Sequence, residues 1–108
     1  MFIYLMVMTD NKNLVDEVLA GQIAELFRAL GDTSRIQIIA ALTKNDLNVG
    51  ELADLVKISH SAVSHHLRHL RQMKLVRTHK EGRHVFYSLD DDHVRDLFLC
   101  GLEHAQHG

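Results

Sequence analysis

The stretch ELADLVKISHSAVSHHLRHLRQMKLV, residues 51–76, carries two helical patterns with a break between them. Before the break, Leu52, Leu55 and Val56 recur at helical spacing behind Asn48, a good N-cap, and predict a short helix with these side chains facing inward. The break is Lys57-Ile58-Ser59. After it, Ser59 can cap a longer helix with two distinct faces: Val63, Leu67 and Leu70 form an apolar stripe, and Ser61, Ser64, His65 and Arg68 follow one another at i, i+3, i+4 and i+7 on the opposite side. One face packs and the other is offered outward. A short helix, a tight turn and a basic helix with an unpacked polar face make a helix-turn-helix, whose second helix suits a DNA major groove.

Outward from this motif the chain is equally legible. Downstream, LVRTHKEGRHVFYSL, residues 75–89, reads as two β-rich runs around a Glu81-Gly82 turn, a hairpin with a basic tip that makes a wing. Upstream, Val15, Val18, Leu19, Ile23, Leu26, Phe27 and Leu30 keep helical spacing from Leu14 to Leu30, and Gly31 stops the run. Asp32 then caps a helix in which Ile36, Ile39, Ala40 and Leu42 recur at three- and four-residue intervals, ended by the polar residues 44–46. The close, DDDHVRDLFLCGLEHAQHG, residues 90–108, reads as a final helix with Asp90 as its N-cap. The expected architecture is mainly α with a β-hairpin, a winged helix-turn-helix of order α-α-α-α-β-β-α over residues 14–108, behind an irregular N-terminal tail over 1–13.

The 108 residues, 46% of them apolar and 24% charged, suffice for one small domain. A long amphipathic helix left at a terminus of such a domain is a natural dimerisation element, so a homodimer is expected. Cys100 is the one cysteine, which excludes an internal disulfide and points to a reducing, cytoplasmic setting. The opening MFIYLMVM lacks a basic flank, a cleavage site and the ~18 residues of a membrane span, so neither a leader nor a membrane partner is expected. No nucleophile and base stand out as a pair, and neither an enzyme nor a small-molecule substrate is expected.

The net charge of −2 conceals a segregation. Residues 57–84 hold Lys57, Arg68, Arg71, Lys74, Arg77, Lys80 and Arg83 against Glu81 alone, a local +6 that leaves −8 elsewhere. A basic block on an acidic chain is the footprint of a face that meets phosphates. On the outward helix, His60, Ser61, Ser64 and His65 are placed to reach base edges, and Arg68, Arg77, Lys80 and Arg83 to hold phosphates of DNA. The alternative role for Ser59 and Ser61 is that of caps, and His66 and His69 fit packing or solvent better than base reading.

Four stretches, RALGDTSRIQIIAAL, ELADLVKISHSAVSHHLRHLRQMKLV, EGRHVFYSL and the closing Asp-x-His with His-x-x-His, together resemble the ArsR/SmtB family of bacterial metal-sensing repressors from about residue 14 onward. The ending resembles the zinc- and cobalt-sensing branch at Asp91, His93, His104 and His107. The resemblance implies a dimer that binds its operator when metal-free and is released by metal, with genes such as a metal exporter under its control. It also suggests a bond from a ligand histidine to a backbone carbonyl around Lys74. Two departures stand out. Thr33 occupies a position where many relatives have proline, a small loss because proline only pre-organises a first turn. Relatives with a second, thiolate-based site carry cysteine around LNVGELADL, and this chain has none there.

The spacing of the closing histidines has its own logic. His93 and His104, eleven residues apart, sit about 20° from one azimuth but roughly 16 Å apart along a helix, so no single ion spans them. His104 and His107 make a two-ligand step one turn apart. Two such helices, antiparallel about a two-fold axis near Leu97 and Cys100, bring His93 of one chain beside His104 and His107 of the other, with Asp91 in an irregular first turn as the fourth donor. Three imidazoles and a carboxylate suit tetrahedral Zn(II), with Co(II) as a mimic; Ni(II) would want further ligands. Cys100 reads as a buried packer at the seam. The alternative is a winged-helix repressor that answers a non-metal signal such as oxidation at Cys100.

Overall fold

The computed structural model describes residues 14–108, and the irregular tail expected over 1–13 lies outside them. The first helix, α1 (Glu17–Leu30), begins where Asp16 Oδ1 accepts from the N–H groups of Val18 and Leu19, at 2.8 and 3.3 Å. It therefore starts three residues later than the apolar spacing from Leu14 suggests, because an acid in extended geometry satisfies the first free amides there. Helix α2 (Thr33–Leu42) is capped by Asp32, and α3 (Val49–Val56) by a full capping box in which Asn48 and Glu51 serve each other's amides. Lys57 ends α3 in the left-handed region, φ 65°, and turns the chain into Ser59, whose Oγ accepts from Ala62 N–H to open α4 (His60–Gln72).

Strands β1 (Val76–Glu81) and β2 (His84–Leu89) pair antiparallel from Val76↔Leu89 to Glu81↔His84. That register corrects the expected turn. Its two free residues are Gly82 and Arg83, with Gly82 at φ 63° in the first position, where glycine alone adopts such geometry without cost. A short bridge between Leu47 and Tyr87, bonded both ways at 3.1 and 2.8 Å, fastens the hairpin to the segment ahead of α3.

Helix α5 (Asp92–His107) closes the chain, and its N-cap is Asp91, not Asp90. Asp91 Oδ1 accepts from Val94 N–H at 3.2 Å, while Asp90 donates its own N–H to the Leu75 carbonyl at 3.0 Å and so belongs to the preceding loop. Asp91 is outside the helix, as its opposed azimuth to His93 requires.

The core sits where α2, α3, α4 and the hairpin converge, around Ile38, Ile39, Leu52, Leu67, Leu70 and Val76, all under 2% exposed. One inward expectation fails. Leu55 is 62% exposed, because a two-turn helix with Leu52 and Ala53 against the core turns position 55 to solvent. Ile36 is also exposed, and Ile38 is buried. On α1, Val18 and Phe27 are 72% and 54% exposed, and on α5 Leu99 and Leu102 are exposed as well. Among the described residues no helix is long and apolar enough to cross a membrane.

Candidate functional site

Two surfaces carry the chemistry, one on α4 and the hairpin, the other along α5. On α4 the core stripe of Val63, Leu67 and Leu70 fixes the helix's rotation, so His60, Ser61, His65 and Arg68 are exposed and Ser64 half-buried. Ser59 is the cap; Ser61 takes no backbone amide, and its Oγ lies 3.2 Å from that of Ser59. His66 and His69 are half-buried, away from the outward row. Arg77 on β1, Lys80 near its end and Arg83 in the turn are all exposed. A cleft of about 500 Å³ between α4 and β2 is lined by Ser64, Arg68, Arg71, Gln72 and Tyr87. Arg71 was not singled out from sequence, although its three-residue step from Arg68 places both on one side.

The hairpin is braced by a group the sequence reading left without a role. His79 Nε2 lies 3.1 Å from Glu81 Oε2 and 3.9 Å from Asp46 Oδ2, and its ring stacks on that of Phe86, its partner in the register, at 5.7 Å. Alternation along β1 puts His79 and Glu81 on one face, which was legible; the approach of Asp46 depends on the Leu47 bridge and was not.

On α5 the four expected donors divide between the two ends. At the start, Asp91 spends Oδ1 on the cap, and its Oδ2 lies 3.5 Å from Nδ1 of the exposed His93. At the finish, His104 and His107 line one surface cleft with Cys100, Glu103 and Gly108. Among the described residues no group of three or more His, Cys, Asp and Glu side chains could hold a metal ion. One chain thus offers two pairs of ligand types, one at each end of a sixteen-residue helix. Cys100 is exposed on the single chain, on the stretch of α5 where the seam with a second copy is expected. Between the ends runs an apolar groove of about 670 Å³ bounded by Phe27, Leu30, Ile36, Leu97, Phe98 and Leu102, from α1, α2 and α5.

Residues 32–78 match the model of the bacterial regulatory protein, arsR family. The chain is 47% identical over 87 residues to the transcriptional repressor SmtB homolog of Synechocystis, covering 81% of this chain and 66% of that relative, just short of two thirds of its length. It is 38% identical over 102 residues to the cadmium resistance transcriptional regulatory protein CadC homolog of Staphylococcus aureus, covering 90% and 84%. Among solved structures, the homodimeric winged helix-turn-helix DNA-binding domain Mb0332 of Mycobacterium bovis, a possible ArsR-family regulator, superposes with a TM-score of 0.78 at 26% identity, covering 91% of this chain and 87% of that one.

Proposed function

The chain belongs to the arsR family of bacterial regulatory proteins, and from that premise we propose that it is a metal-responsive transcriptional repressor acting as a cytoplasmic homodimer. In this reading the metal-free dimer lays α4 of each protomer into the major groove of its operator, with His60, Ser61, Ser64 and His65 at base edges. Arg68, Arg77, Lys80 and Arg83 hold phosphates. Metal bound across the dimer lowers that affinity and releases genes for metal efflux or resistance. The relatives named are regulators of transcription, and an enzyme reading has no support among them.

The observation that carries the proposal is the division of donors between the two ends of α5, with an uncovered apolar groove alongside. A second copy packed antiparallel against the groove would set Asp91 and His93 of one protomer beside His104 and His107 of the other. The donors fit such a site. Asp91 retains Oδ2 after capping, and the imidazoles lie at exposed helix ends. Zn(II), or Co(II) as its mimic, would be held there by Asp91 and His93 of one protomer with His104 and His107 of the other, and would link the two closing helices. The cadmium in the name of the Staphylococcus relative is that protein's; one carboxylate and three imidazoles favour a borderline ion.

A route from α5 to α4 follows from the backbone. Asp90, next to the ligand Asp91, holds the Leu75 carbonyl, and Leu75 in turn bonds Leu70 at the end of α4. Lys74 sits between them at φ 59°, and its carbonyl is the acceptor we assign to the second nitrogen of a ligand histidine. Holding Asp91 and His93 against a neighbour thereby constrains the exit of α4.

Operator affinity at one fixed salt concentration, with zinc, cobalt and nickel added in turn, tests the reading. Zinc and cobalt should weaken binding by about 5- to 150-fold, and His104→Ala should abolish the response. A response that survives His104→Ala would remove the α5 site. The exposure of Cys100 keeps one other reading open, release by thiol oxidation, which Cys100→Ser would eliminate while leaving the zinc response intact.

A further inference from the structure

Among the described residues, the side chains of α4 reach another element by hydrogen bond at one place, His66. Its ring, 17% exposed, is met by two residues from the start of α2. Arg35 Nε donates to His66 Nδ1 at 3.0 Å, and Arg35 Nη1 donates to the Ala29 carbonyl near the end of α1 at 3.2 Å. Asp32, which caps α2 through Arg35 N–H, places Oδ2 4.0 Å from His66 Nε2. One guanidinium therefore joins α1, α2 and α4. A guanidinium has no acceptor, so Nδ1 must present its lone pair and the ring proton must sit on Nε2, toward Asp32. A second proton would go to Nδ1. It would replace the hydrogen bond with two like charges in contact.

We propose that His66 is the positioning residue that holds α4 on α1 and α2 through Arg35, and that protonation of its ring releases this hold, so that operator affinity falls in acid through a group other than the α5 donors. The charged and titratable groups facing the ring are Asp32 and Arg35 from α2 and His65 and His69 from α4 itself. Burial, followed by Arg35, His65 and His69, pushes the imidazole below its ordinary value, against the opposing pull of Asp32. The sign follows. With the folded value below the unfolded one near 6.5, the contact's contribution is complete above that pH and is lost as pH falls through the lower folded value.

The DNA part of this inference rests on the operator-binding reading, and the experiment separates the two. The probe is a duplex selected from a random-sequence library by the metal-free wild type at pH 8, with affinity measured at fixed salt from pH 8 to 5.5. His66→Gln offers Arg35 an amide oxygen that does not titrate, so it should match wild type at pH 8, and wild type should then fall on the order of tenfold relative to it in acid. His66→Phe should bind weakly throughout. Long-range proton–nitrogen spectra of the wild type should show the Nε2–H tautomer at pH 8, a readout independent of DNA and of how the Phe variant folds. Superimposed profiles for wild type and His66→Gln, or an Nδ1–H tautomer, would overturn the role of His66 alone. Failure to select any duplex would overturn the operator reading and this inference's claim on DNA with it, leaving the tautomer to decide the contact with Arg35.

Discussion

At the scale of single residues, Asp91 has two duties that its two oxygens keep apart. Oδ1 caps α5, and Oδ2 faces His93. Asp91→Asn retains an amide oxygen for the cap, so its unfolding free energy should stay near wild type while zinc affinity falls with the lost carboxylate. Asp91→Ala should lose both, with about 1 kcal/mol of stability gone in urea unfolding of the metal-free protein. Equal stability for the two variants would show that the cap contributes nothing. Lys74 is a different case: at φ 59° a side chain with a Cβ is held in left-handed backbone. Lys74→Gly should therefore stabilise the fold by about 1 kcal/mol, read in the same unfolding experiment, and keep the carbonyl assigned to the metal response.

At the scale of elements, the wing shows how a hairpin's charge can be separated from its bracing. His79, Glu81 and Asp46 brace it, and Lys80 and Arg83 face solvent. Lys80→Ala should weaken operator binding by the same factor on specific and random duplexes and lower the salt slope of log affinity by about 0.9, the value of one phosphate contact. A slope equal to that of wild type would place Lys80 off the DNA. Elements were legible in sequence wherever a cap and a period agree. Asp32, Asn48 and Ser59 open their helices as read, because a short polar side chain before an apolar repeat satisfies amides locally, without tertiary help. Legibility fails where tertiary contact decides. Asp90 and Asp91 are chemically alike, and only the pairing of Asp90 with Leu75 leaves the cap to Asp91. Leu55 fits an apolar repeat that a two-turn helix is too short to bury in full. Of the candidate sites, the outward row on α4 follows from the core stripe alone, whereas the clasp of Arg35 on His66 joins residues 31 positions apart and leaves no periodic trace.

At the scale of the whole molecule, the uncovered apolar face of α1 and α5 and the divided donors make one claim together: tight metal sites are complete only in the dimer, which the metal-free chains already form. If so, the groove controls zinc affinity without touching zinc. Phe27 borders the groove, is 54% exposed in the single chain and is none of the four donors. Phe27→Glu would cost little on a solvated surface, but at a seam between two copies it buries a carboxylate beside apolar side chains and should drive the protein to monomer. The monomer keeps Asp91, His93, His104 and His107 in place, yet each chain then holds only one pair at each end of α5. Sedimentation should accordingly find wild type dimeric and Phe27→Glu monomeric at equal concentration, with helical content retained by circular dichroism. Zinc titration should find two tight sites per wild-type dimer and none of comparable affinity in the variant. A monomer that binds zinc as tightly as wild type, through the same four side chains, would break the link between assembly and sensing.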